Sequence, residues 1–356
     1  MKRFIYITCL LLFTYSCKTP TTKREIASDR IVHLEDSIHY TIPELPRLCD
    51  SLELVIRKVN IGDCRLYVEQ EGKGTPMILI NGGPGGTHHY FHPEFSSIKD
   101  RHTIIYYDQR GTGQSDFEAG KGYSFEQAVD DLEQLRKQLG ISKWVVCGFS
   151  YGGGLAQFYT LKYPENVLGL VLISALPLFE DEGFQSEQEK YLSAFEKDKK
   201  NEIIKEFATG KLQMKPFLYN LALNGDWKRQ RYYKPSRNEM IRSALYEWVN
   251  DKNFNKIMSK SYRSYNFRGL FDSCPVPTLI FEGKHDLTWG SKKATIFRAN
   301  HPNAKFLLFE RAGHMLYRDV PKQFFLELSN FTGSLKHPSQ RSIQDWKESI
   351  SNKLLD

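Results

Sequence analysis

Short apolar runs recur along the chain, separated by longer stretches in which apolar positions follow a helical period. Runs near 52 to 59, 64 to 70, 77 to 81, 103 to 107, 144 to 149, 167 to 173, 277 to 282 and 305 to 309 read as strands. Helical patterns fall between most of them, including Phe125 to Leu139, Gly152 to Lys162 and Val320 to Phe331. The first two runs suit an antiparallel edge, and the alternation that follows predicts right-handed βα units in an α/β fold with a mostly parallel, doubly wound sheet. Between Ala175 and Phe271 the pattern changes to charged, lysine- and tyrosine-rich segments with helical spacing and no strong strand run. The division this predicts is a core of 51–175 and 272–332, a helical cap of 176–271, and a polar tail of 333–356 with at most one surface helix.

Chemistry enters at the end of the fifth run. Gly148, Ser150 and Gly152 fit G-x-S-x-G, in which the glycines let the chain pass a sharp strand-to-helix turn that exposes a serine hydroxyl. A lone serine there is more often a cap or turn former, and a hydroxyl nucleophile requires a base and an acid to orient it. Asp286 follows the seventh run and His314 the eighth, each just beyond the strand's C-terminal end, where open α/β sheets place their sites. The order Ser, Asp, His is the α/β-hydrolase order. Glu282 is a rival acid, ranked below Asp286 because it lies on the strand before the turn.

The stretch "NGGPGG" after the third run offers backbone N–H groups for a developing oxyanion, with Gly83 the chosen donor and the N–H of Tyr151, after the nucleophile, the other. No G-K-[ST] follows it and no G-x-G-x-x-G opens a helix, which argues against a nucleotide site. His88, His89 and His92 cluster nearby, but without H-E-x-x-H or a neighbouring cysteine pair they read as solvated or pocket-rim histidines, and no metal or cofactor is predicted.

These motifs resemble the proline iminopeptidase-like serine peptidases and amidases of the α/β-hydrolase fold. Asn81 to Gly85 is similar to the family's His-Gly-Gly-Pro-Gly, "YYDQRGTGQS" (Tyr106 to Ser115) resembles its Asp-Gln-Arg-Gly-x-Gly-x-Ser stretch, and "GFSYGG" resembles its nucleophile elbow. Asn81 replaces the usual histidine, and Asp108 and Arg110 look structural in the family. The resemblance implies an aminopeptidase that releases an N-terminal residue, often proline, from short peptides through an acyl-enzyme. It further implies acidic cap side chains for the substrate's ammonium. Glu180, Asp181, Glu182, Glu239 and Glu247 are available, and Glu247, between Tyr246 and Trp248, is the one chosen. The alternatives are a carboxylesterase or lactonase with the same triad and, from another class, a non-catalytic cell-envelope binding protein.

With 356 residues and 40% apolar content the chain can bury a large core. The net charge of +7 comes from interspersed acids and bases, so nucleic-acid binding has little support. Lys2 and Arg3 precede the apolar stretch Phe4 to Phe13, too short to span a bilayer but suited to a signal-peptide core. Ser16 followed by Cys17 resembles a lipoprotein cleavage site. The expectation is a leader over 1–16, lipidation of Cys17, an extension over 17–50 that begins as a tether, and membrane association at a bacterial cell envelope. Export would permit a disulfide, with Cys49 and Cys64 the nearest pair, while Cys147 reads as inert core.

Overall fold

The computed structural model describes residues 40–118, 120–178, 194–288 and 293–351. The leader, Cys17, most of the tether, and Glu180, Asp181 and Glu182 lie outside the described residues. Eight strands form one sheet: β1 (Val55–Asn60), β2 (Arg65–Gly72), β3 (Thr75–Ile80), β4 (His102–Tyr107), β5 (Trp144–Phe149), β6 (Val167–Ile173), β7 (Thr278–Gly283) and β8 (Lys305–Phe309). Their spatial order is β1-β2-β4-β3-β5-β6-β7-β8. The pairings β1–β2 and β2–β4 are antiparallel and the other five parallel, so the sheet is the α/β-hydrolase arrangement expected from the pattern.

Every residue of β5 and of β7 is buried, because a parallel strand is covered on both faces. Side chains alternate between two cores. Trp144, Val146, Ile78, Leu170 and Ile280 face α1 (Phe125–Gln138) and α2 (Tyr151–Lys162). Val145, Cys147, Phe149, Leu279 and Phe281 face Phe91, Phe95 and the helix Pro321–Gly333. Ser124 starts α1 by accepting from the Gln127 N–H, as an N-cap should.

Between β6 and β7 the described chain carries the helices Ala194–Ala208, Met214–Leu223, Arg237–Arg242 and Phe254–Tyr262, a single π-turn at Ser243–Glu247, and no strand. The tail forms the helix Gln340–Ser351, and it is more than a surface ornament: Ile343, Trp346 and Ile350 are buried, and Trp346 Nε1 donates to the Leu270 carbonyl at 3.0 Å. All four described cysteines, Cys49 and Cys64 among them, are free and buried, so the disulfide that export would permit is not formed. Among the described residues no helix is long and apolar enough to cross a membrane.

Candidate active site

Ser150 sits between β5 and α2 with φ 54 and ψ −122, a conformation L-residues rarely adopt. The turn is held by its own backbone: Ser150 N donates to Ile173 O at 2.9 Å, and Ser150 O accepts from Gly153 N at 2.8 Å and Leu176 N at 2.7 Å. Gly148 and Gly152 are required by space, since a Cβ on Gly148 would strike the Gly152 carbonyl and one on Gly152 the Ile80 carbonyl. This close crossing of strand and helix turns the seryl side chain outward from the strand's end.

Turns after β7 and β8 bring the next two residues together. His314 Nδ1 lies 2.8 Å from Asp286 Oδ2, and both side chains are buried. The turns are cross-linked by His285 N donating to Ala312 O and Lys284 N to Phe309 O. Asp286 Oδ1 accepts from Thr288 N at 2.9 Å, and Oδ2 also takes Lys293 Nζ at 3.3 Å. Burial alone would raise the Asp286 pKa; His314, the Lys293 ammonium and the Thr288 N–H outweigh it and hold the carboxyl well below its usual range. Burial also pushes His314 below the ordinary histidine value, further than its Asp286 partner raises it, which keeps the ring neutral near pH 7. Glu282 does not compete for the histidine. Its Oε2 pairs with Lys293 at 2.7 Å, and burial lifts its pKa to about 7 against the pull of that ammonium.

The glycine loop runs beside the serine: a Cβ on Gly82 would lie 3.3 Å from Ser150 Cβ. Gly83, at φ +139, curls the loop so tightly that a Cβ there would stand 2.5 Å from Gly85 N and 2.8 Å from Gly86 N. Asn81 explains how the loop does without the family's histidine, since its Nδ2 reaches Gly86 O at 2.5 Å and braces the turn from beneath. Tyr151 is the first residue of α2, and its N–H has no intrahelical acceptor. Asp108 and Arg110 are structural: Asp108 accepts from His88 N and Gln114 N, and Arg110 clamps Asp131 and Asp63.

A cavity of about 400 Å³ adjoins these turns. Met315, next to His314, lies on its wall, as do Asn250 and Asn255, which abut Gly85. The cap supplies most of the rest, including Phe217, Trp227 and Trp248. Its wall carboxylates are Asp226 and Glu239, facing Arg229, Arg231 and Arg318. Glu247, chosen from the sequence for the substrate amine, is buried behind this wall. One carboxylate oxygen receives Arg318 at 2.9 Å and the other the Ser243 hydroxyl at 2.6 Å, so it already has a counter-ion. Sequence reasoning missed Lys293, Arg318 and Asp319. Asp319 accepts from Gly313 N at 2.9 Å, Tyr232 N at 2.9 Å and Arg231 Nε at 3.0 Å, fastening the histidine turn to the cap. No motif marks any of the three, because each acts on partners remote in sequence or inside an unpatterned segment.

Fold and site together define a hydrolase with a serine elbow at the C-terminal edge of a parallel sheet. The alpha/beta hydrolase fold family model matches residues 75–319, and the chain belongs to that family. Within it the chain is proline iminopeptidase-like. It is 28% identical over 270 residues to the proline iminopeptidase of Saccharolobus solfataricus, covering 71% of this chain and 86% of the relative. It is 27% identical over 279 residues to that of Lactobacillus delbrueckii subsp. bulgaricus, covering 74% and 92%. Among solved structures, an esterase from Exiguobacterium antarcticum superposes with a TM-score of 0.61 at 21% identity, covering 79% of this chain and 99% of that one.

Proposed function

We propose that the protein is a serine aminopeptidase that removes N-terminal residues from short peptides. The observation that carries the reading is the buried His314–Asp286 pair, 2.8 Å apart, on the turns beside the Ser150 elbow in a chain similar to proline iminopeptidases. Nδ1 of His314 is engaged by Asp286, which leaves Nε2 to take the Ser150 proton. The Ser150 oxygen then bonds to the scissile carbonyl carbon, and the Gly83 and Tyr151 N–H groups receive the oxyanion. As the C–N bond breaks, Nε2 returns the proton to the leaving amine. Water then gives a proton to Nε2 and attacks the acyl carbon, and as the bond to the Ser150 oxygen breaks Nε2 returns the proton to that oxygen, releasing the acid and the free enzyme.

The ammonium of a peptide needs an anion on the cavity wall. Glu247 would have to exchange Arg318 for it, whereas Glu239 lies on the wall and meets Arg231 only at 3.4 Å. We assign the amine to Glu239. Its carboxylate also caps its own helix through Ser236, a role glutamine preserves, so Glu239→Gln tests the charge alone. Glu239→Gln is expected to weaken turnover of aminoacyl amides at least tenfold while sparing N-acylated esters. Equal loss on both substrate types would remove Glu239 from the amine site.

The esterase alternative draws on one feature: three guanidinium groups on the wall outnumber two carboxylates. A wild-type preference for N-blocked esters over free-amine substrates would select it. Labelling of Ser150 by a fluorophosphonate separates both enzymes from a binding protein on the same scaffold.

A further inference from the structure

Four side chains from three separate segments converge beside the glycine loop: Cys49 from the turn Leu48–Ser51, Glu69 from β2, and His88 and His92 from the turn that follows the loop. Each contributes one donor atom, and these four atoms lie within 4.8 Å of one another. None is on a pocket rim. Relative exposure is 2% for Cys49, 0% for Glu69 and 1% each for His88 and His92, which corrects the expectation of solvated or rim histidines for these two; His89, between them, is half-buried. We propose that this cluster is a structural zinc site.

The donors fit the ion. A thiolate, two imidazoles and a carboxylate are a four-ligand set that zinc accepts, with donor separations of about 3.3 to 3.8 Å expected from tetrahedral bonds. Glu69 is held meanwhile by the Tyr67 hydroxyl at 2.6 Å and by His92 at 2.8 Å, so binding the ion would draw these donors closer and replace the His92 contact. His88 is oriented for the task, because Asp108 Oδ1 holds its Nδ1 at 2.8 Å and points Nε2 inward, the carboxylate–histidine support typical of metal ligands. That Nε2 is buried and faces Glu69 Oε1 at 3.3 Å, a contact that a protonated ring makes as an ion pair and in which a metal would take the proton's place. His92 Nε2 lies 2.8 Å from Glu69 Oε2; shifting its proton to Nδ1 frees Nε2 as a donor. Charge favours a cation here: Glu69, Asp108 and a Cys49 thiolate would be three anions, and the nearest arginine, Arg47 at 3.7 Å from Glu69, is already paired with Asp50 at 2.8 Å.

Such an ion would clip the N-terminal extension to the core at a sensitive place. The extension touches the cap, with the Tyr246 hydroxyl on Leu45 O and Arg242 Nε on Pro46 O at 3.2 Å. Next to the cluster, Thr87 binds Tyr246 O and Glu247 O. The zinc therefore braces the glycine loop and cap from below, without touching the reacting atoms.

The experiment uses the folded full chain, stripped with chelator and reloaded with Zn²⁺ or Co²⁺. One equivalent of zinc per chain should survive gel filtration, and cobalt should give the near-ultraviolet charge-transfer band of a thiolate ligand. Cys49→Ser should abolish the band, Cys64→Ser should keep it, and His92→Gln should weaken zinc affinity at least tenfold. At equal zinc concentration the Tm of wild type should rise more than that of His92→Gln, a readout that survives if Cys49→Ser fails to fold. Failure to retain zinc, or undiminished binding in both Cys49→Ser and His92→Gln, overturns the site.

Discussion

Lys293 Nζ lies 2.7 Å from Glu282 and 3.3 Å from Asp286, so one buried ammonium serves two carboxylates, only one of which meets His314. Its positive charge lowers the His314 pKa and helps keep Asp286 ionised. In the proposed mechanism His314 acts as base in its neutral form, and its pKa is depressed below 6.5, so the acidic limb of kcat/KM should fall below pH 6.5 with a plateau across neutrality. Lys293→Met removes a cation from beside the imidazole, and the sign is upward: the limb should move to higher pH. A limb that moves down or stays fixed would take Lys293 out of this account. For the acid itself, Asp286→Asn should cost about 10⁴ in kcat by leaving the histidine in the wrong tautomer, while Glu282→Gln, whose partner is Lys293, should cost far less. The reverse ranking in steady-state assays would reassign the acid. The positions of Ser150, Asp286 and His314 just beyond strand ends were legible at the residue scale, since each follows an apolar run. Lys293 was not: it sits in "GSKKATIF", where nothing local distinguishes a buried lysine from a solvated one.

Among the elements, the histidine turn and the cap are joined by an ion cluster whose members come from three segments. Arg318 is buried between Glu247 at 2.9 Å and Glu94 at 3.2 Å. Burial raises the Glu94 pKa further than the guanidinium lowers it, and Glu94 Oε2 has no hydrogen-bond partner. Removing the cation would strand the buried Glu247 and the half-buried Glu94, so Arg318→Met should destabilise the fold by about 3 kcal/mol, read as a lower Tm and urea midpoint. A loss below about 1 kcal/mol would show that water reaches the cluster. Glu247→Gln, which takes away one partner of Arg318, should impair amides and esters alike, in contrast to Glu239→Gln. The strands were readable because apolar runs of their length have few other uses in a chain that alternates so regularly. The cap's ion pairs were not, because charge on a helical pattern reads as a solvated face until the neighbouring element is known.

For the molecule as a whole, the two ends of the chain carry what composition concealed. We propose that the N-terminal apolar stretch is an export leader and that Cys17 is lipidated; mass spectrometry of the mature N-terminus should find an acylated cysteine, and an unmodified terminus beginning elsewhere would point to simple secretion. At the other end the polar tail read as one surface helix at most, because only every third or fourth residue of 340–351 is apolar. Those residues are Ile343, Trp346 and Ile350, and all three enter the core that faces α1 and α2. Trp346 stacks obliquely on Phe271, with ring centroids 6.1 Å apart, and satisfies the Leu270 carbonyl where the chain returns from the cap to β7. Its truncation removes apolar area and an indole hydrogen bond together, which places Trp346→Ala at about 3–5 kcal/mol of lost stability. Because the helix lies far from Ser150 in the chain and touches none of the proposed reacting groups, the variant that remains folded at low temperature should keep wild-type kcat/KM while its Tm falls by several degrees. Loss of kcat/KM at a temperature where the near-ultraviolet circular dichroism is native would mean that the tail also holds the cap, and would move it from scaffold to site.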